Sequence, residues 1–192
     1  LYDRALAIRR KSLPPEDALI AISLNNLAGL YQETGRYEEA EPLFLRALGI
    51  SEKASGPKHP DTATALNNLG ALYRLTGRYE EAEPLFKRAL DIDTEALGDD
   101  HPSTAVDMNN LAILYMDMGR YDESEDLYRR AGGIWMAVLP ADHPYVAQAM
   151  NNLGILYRTV GRYQDAETLF VDCLLYTSDA ADDLLCVALG GR

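Results

Sequence analysis

Three sets of residues in this chain have types and spacings that could do chemistry. Histidines recur as His59, His101 and His143, each directly before a proline. A recurring histidine invites a metal site, because neutral imidazole is a common zinc ligand. Equivalent positions on stacked helices, however, lie at least a packing distance of about 8–10 Å apart, while ligands to one zinc each sit about 2 Å from it. These histidines therefore read as turn or capping residues at helix starts. Carboxylates crowd at Glu80-Glu81-Glu83 and Asp122-Glu123-Glu125. They fall in first turns of helices, where the helix dipole favours negative charge, and they form no general acid/base pair. No glycine-rich phosphate loop and no Ser/His/Asp arrangement stands out. The expected protein is not an enzyme and carries no cofactor and no metal.

The third set is a series of asparagine pairs: Asn25-Asn26, Asn67-Asn68, Asn109-Asn110 and Asn151-Asn152, each 42 residues after the last. A carboxamide both donates and accepts, which suits a peptide backbone presented at regular spacing. The triplet Gly-Arg-Tyr keeps the same register, at Gly35, Gly77, Gly119 and Gly161. A fixed period of this size marks a stacked-repeat protein.

One period shows what positions these residues. After His59-Pro60, apolar or small residues at Ala63, Leu66, Leu69, Gly70 and Tyr73 form one helical stripe. Gly77 ends that helix in a left-handed cap. Tyr79 opens a second helix with the stripe Ala82, Leu85, Phe86, Ala89, Leu90 and Ile92. Gly70 and Ala82 sit where the two helices should cross, and Tyr73 and Phe86 fill the space beside them. Neither helix buries its stripe without neighbours. The lone Trp135 reads as packing. Arg36, Arg78, Arg120 and Arg162 each have acidic neighbours and read as salt-bridged surface residues. Gly132-Gly133 replaces Leu90-Asp91 in the third repeat, which marks that second helix as the weakest point and a hinge candidate.

The spacing Leu-Gly-x-x-Tyr-x-x-x-Gly-x-Tyr-x-x-Ala-x-x-x-Phe-x-x-Ala, from Leu69 to Ala89, resembles the tetratricopeptide repeat. That unit is usually about 34 residues, and the longer period here, with Leu-Asn-Asn-Leu, Gly-Arg-Tyr, Glu-Ala-Glu-Pro-Leu and Arg-Ala-Leu, is similar to kinesin light chain repeats. The resemblance implies an all-α fold, a right-handed solenoid of antiparallel helix hairpins. The expected organisation is one array over 1–172: a partial repeat 1–16, then repeats at about 17–58, 59–100, 101–142 and 143–172. Residues 173–192 are set apart as a non-native tail, because Cys-Leu-Leu-Tyr-Thr-Ser-Asp-Ala-Ala-Asp resembles a translated sequencing adapter. The chain opens at Leu1 inside a second helix, so its own N-terminus is expected to lie upstream.

In the tetratricopeptide family one side of each first helix lines a concave groove for extended peptides. Asn67 lies about 100° from the centre of the buried stripe and faces that side. The implied peptide-binding residues are Asn25; Asn67 and Arg74; Asn109, Ile113 and Met116; and Asn151, Ile155 and Arg158. Ile22, Gly29 and Gln32 share the side in the first full repeat. The first asparagine of each pair is assigned to the groove and the second to a tie between neighbouring first helices.

The expected function is a protein-interaction adaptor. A second reading is a regulatory or sensing domain of a larger signalling protein, and a third is self-association through open repeat ends. The net charge of −12 opposes nucleic acid. No apolar run reaches membrane-spanning length. Two cysteines, Cys173 and Cys186, are too few for a disulfide framework and fit an intracellular, cytoplasmic protein.

Overall fold

The structure, a computed structural model, describes residues 2–177. Among them are nine α-helices and no strand. They are α1 (Tyr2–Ser12), α2 (Ala18–Glu33), α3 (Tyr37–Ala54), α4 (Pro60–Leu75) and α5 (Tyr79–Leu97), then α6 (Pro102–Asp117), α7 (Tyr121–Val138), α8 (Pro144–Thr159) and α9 (Tyr163–Thr177). The chain forms two compact units, Leu1–Gly98 and Asp99–Arg192.

In the first unit, α2 pairs with α3 and α4 with α5 as hairpins, and α3 packs against α4. Both ends of each first helix are set by local chemistry. His59 is extended, Pro60 takes the first helical position where its missing N–H is harmless, and His59 Nδ1 accepts the N–H of Asp61 at 3.2 Å. Asp17, where the first loop lacks a histidine, does the same job by accepting from Leu19 N–H at 2.9 Å. The other end closes on Gly77 at φ +75°. Its N–H reaches Arg74 O at 3.0 Å, and Arg78 N–H reaches Tyr73 O at 2.8 Å. This is the paired capping pattern that needs a left-handed residue, and glycine takes that conformation at least cost.

The hairpin crossing is as tight as the small residues suggest. A Cβ on Gly70 would lie 3.0 Å from the Phe86 ring, and Ala82 is fully buried. All of the stripe from Ala63 to Tyr73 is buried, together with Thr62, Ala65 and Leu72. The apolar stripe alone does not mark those three, because α4 is covered by α3 as well as by α5. In α5 the expected Leu85 and Leu90 are only half-buried. The opening helix lies at the register of α3, 42 residues earlier, and departs from its burial. Leu6 is buried, but Ala5 and Ile8, aligned with the buried Ala47 and Ile50, are exposed. Here α1 meets α2 through Leu6 and Leu13, and Arg9 ties them by donating to Leu19 O at 2.7 Å and Ser23 Oγ at 2.8 Å.

The second unit repeats the plan with α6 paired to α7, α8 to α9, and α7 against α8. His101 and His143 cap α6 and α8 by accepting N–H groups of Ser103 and Tyr145, each at 3.1 Å. Ser124 takes the place of Ala82 at the crossing, and its buried hydroxyl donates to Ala112 O at 2.8 Å. The polar group is thus satisfied where it is buried. Trp135 is packing, as expected: it is 1% exposed. The last helix runs through Asp172 without a break to Thr177, and Cys173 is fully buried at the register of Ala89 and Ala131. Residues 178–192 of the expected tail lie outside the described residues.

Candidate functional site

The recurring Gly-Arg-Tyr arginine is a clip. Arg78 lies over the Tyr73 ring, 3.9 Å from its centroid, and the same stacking joins Arg36 to Tyr31, Arg120 to Tyr115 and Arg162 to Tyr157. Arg78 also grips Glu81 with two hydrogen bonds of 2.8 and 2.7 Å. That bond holds the Glu81 carboxyl below the usual carboxylate range, as Arg36 does for Glu39. A third arm reaches back to Glu41 of the preceding hairpin at 2.8 Å, and Tyr73 Oη donates to the same carboxylate at 3.0 Å. Burial, reinforced by this carboxylate, raises the Tyr73 phenol above its ordinary range. The second unit repeats the device with Arg162 and Tyr157 on Glu125, each at 3.0 Å. Arg78 and Arg162 therefore tie their hairpins to the preceding ones.

The residues expected to line a groove differ in accessibility. In α2, Asn25 is half-buried and Ile22 is 49% exposed. In α4, Asn67 and Arg74 are half-buried. Ile113 and Met116 in α6 and Ile155 in α8 are also half-buried, and Arg158 is exposed. Asn109 and Asn151 are buried, at 3% and 5% exposure.

The structure joins Asn109 to Asn152, not to open space. Asn152 Nδ2 donates to Asn109 Oδ1 at 2.8 Å, so α6 and α8 are tied by the first asparagine of one pair and the second of the next. The corresponding residues in the first unit are Asn25 and Asn68. There no such bond exists: Asn25 Oδ1 is buried and accepts no hydrogen bond. A cavity of about 350 Å³ opens instead, lined by Asn25, Asn26, Asn68, Gly29 and Gln32 among others. Gln32 Oε1 is a second buried acceptor without a partner. Asn26 and Asn68, second members of their pairs, were expected as ties, whereas Gln32 shares the expected groove side with Ile22 and Gly29.

These differences predict opposite results at one motif position. Asn109→Ala leaves the Asn152 amide without its acceptor and should destabilise the chain by about 1–3 kcal/mol. Asn25→Ala breaks no hydrogen bond and should change stability by less than about 0.5 kcal/mol. Urea denaturation followed by circular dichroism measures both, and equal losses would contradict this account.

A profile described as Tetratricopeptide repeat matches residues 1–50, 19–95, 67–131 and 108–174, which together run through nearly all of the described chain. The chain belongs to the tetratricopeptide repeat family. Members of this family generally mediate protein–protein interaction. Among solved structures, this tetratricopeptide array is similar to BtubC (BKLC) from P. vanneervenii, at 25% identity and a TM-score of 0.78, covering 95% of this chain and 72% of that one. It is also similar to the kinesin light chain TPR-like repeats of Podosopora anserina, at 25% identity and a TM-score of 0.71, over 95% and 86% of the two chains. The apo form of RapI shares the fold at 16% identity and a TM-score of 0.76, over 93% of this chain and 62% of that one. No curated protein matches. Among the described residues, no helix is long and apolar enough to cross a membrane.

Proposed function

We propose that this chain is a non-catalytic protein-interaction module that holds extended peptide segments along the open faces of its first helices. The observation that supports it most is the first-unit cavity, where two buried carboxamide oxygens, on Asn25 and Gln32, meet no donor. A buried acceptor without a partner costs free energy, and a peptide supplies donors at regular spacing. Apolar residues on the same side of the first helices in the second unit, Ile113, Met116 and Ile155, are half-exposed. They suit the side chains of a segment lying across α6 and α8. The likeness to chains named for kinesin light chains fits an adaptor role, and the acidic surface favours protein ligands over nucleic acid.

Selection from a randomised peptide library on the full chain tests the reading. Enriched peptides should lose about tenfold or more in affinity against Ile113→Glu, because an apolar contact of a few kcal/mol is replaced by a charge. The melting temperature should hold. Undiminished affinity would move the binding surface off this row.

A further inference from the structure

The two asparagine steps that can be compared within single units are built alike and end differently. In the second unit the pair Asn109 and Asn152 is closed by a hydrogen bond of 2.8 Å. In the first unit the equivalent residues, Asn25 and Asn68, flank an open cavity of about 350 Å³. The floor of that cavity is also different. Gly29 stands where the later repeats carry Ala71, Ile113 and Ile155, and a Cβ built on Gly29 would meet nothing within 4 Å. The polar atoms orphaned around this space, Asn25 Oδ1 and Gln32 Oε1, are both acceptors. The charged residue on the cavity wall is Glu33.

From this we infer that the Gly29 cavity is a specificity subsite for a basic side chain, arginine above all, carried by the bound peptide. The inference rests on the peptide-binding reading and sharpens it by naming the side chain that this step selects. Arginine suits the site for three reasons. Its guanidinium offers five donors and no acceptor, which matches the two buried acceptors left without a donor, Asn25 Oδ1 and Gln32 Oε1. Its charge is complementary to Glu33 and to the chain's net charge of −12. Its apolar stem can lie along Ala71 and the Phe44 edge that complete the cavity. An acidic side chain would set its charge against Glu33 and is selected against. The missing side chain at residue 29 leaves the room, which an isoleucine there would take up.

The test uses the full chain and the same randomised peptide library. The unaltered chain should enrich arginine or lysine at one peptide position. Replacing that residue by norleucine in an enriched peptide should weaken binding by about tenfold or more, the scale of a hydrogen bond to a charged group. Gly29→Ile should abolish the basic preference at that position while leaving the melting temperature equal or higher, since glycine inside a helix is the poorer former. Gln32→Leu, which keeps the cavity wall and removes one acceptor, should weaken the same preference. A basic preference that survives both variants, or enrichment of acidic or apolar residues in its place, overturns the inference and leaves the peptide-binding reading standing. A library that yields no binder at all overturns both.

Discussion

Trp135→Ala should unfold the chain at markedly lower urea, with a loss of about 3–5 kcal/mol, the range for emptying a large aromatic site. Trp135 occupies the register of Ser51 and Asp93, and the third repeat is the place where that register carries bulk. The indole stacks on Tyr145 of α8 with ring centroids 5.0 Å apart and 28° between planes. Its Nε1–H donates to Pro102 O at 3.2 Å, so one side chain joins α7 to both α6 and α8. The same helix has lost a leucine to Gly132, whose absent Cβ would lie 3.1 Å from Ala149 Cβ. The close approach of α8 there and the tryptophan stack one turn later are two parts of one repacking. Trp135→Phe should recover most of the loss, because it keeps the stack and forfeits the hydrogen bond. The glycine pair leaves its own mark: amide exchange in α7 should be faster than in α3, α5 and α9. A cost for Trp135→Ala below about 1 kcal/mol would mean the tryptophan carries little of this packing.

Phe86→Ala is the second large effect, again about 3–5 kcal/mol. The ring is 1% exposed and lies in the hollow left by Gly70, its Cε1 3.0 Å from where a Cβ would be. Equivalent crossings tolerate alanine, as Ala28 and Ala112 beside Phe44 and Tyr128 show, all four being buried. Gly70→Ala in the unaltered chain should therefore be close to neutral, a gain in helix propensity of about 1 kcal/mol offset by a small shift of the ring. With Phe86 already truncated, the same change should stabilise, since the methyl enters empty space. The double-mutant cycle should show coupling of about 0.5 kcal/mol or more. Strict additivity would contradict the crossing geometry.

The sequence carries the hairpin geometry because each determinant is local or periodic. A histidine before the first helix, a glycine that must be left-handed and small residues at a crossing recur in register, and each appears in the structure in its expected role. The site was less legible. Whether an asparagine bonds its neighbour is decided between two first helices and not by the spacing within one. Asn25 and Asn109 hold the same place in the repeat, yet one oxygen is orphaned and the other bonded. The arginine clip was half legible: its pairing with the acidic residue three positions on follows from helix spacing, whereas its reach to Glu41 or Glu125 requires the preceding hairpin. The exposed Ile8 shows the same limit, since its alignment with Ile50 was sound and its packing partner was not.

We propose that the first helices hold peptides and the second helices support them. Hydrogen exchange of the full chain, with and without a library-selected peptide, tests it most directly. Added protection confined to α2, α4, α6 or α8 is the predicted result. Protection confined to α3, α5, α7 or α9 would contradict it.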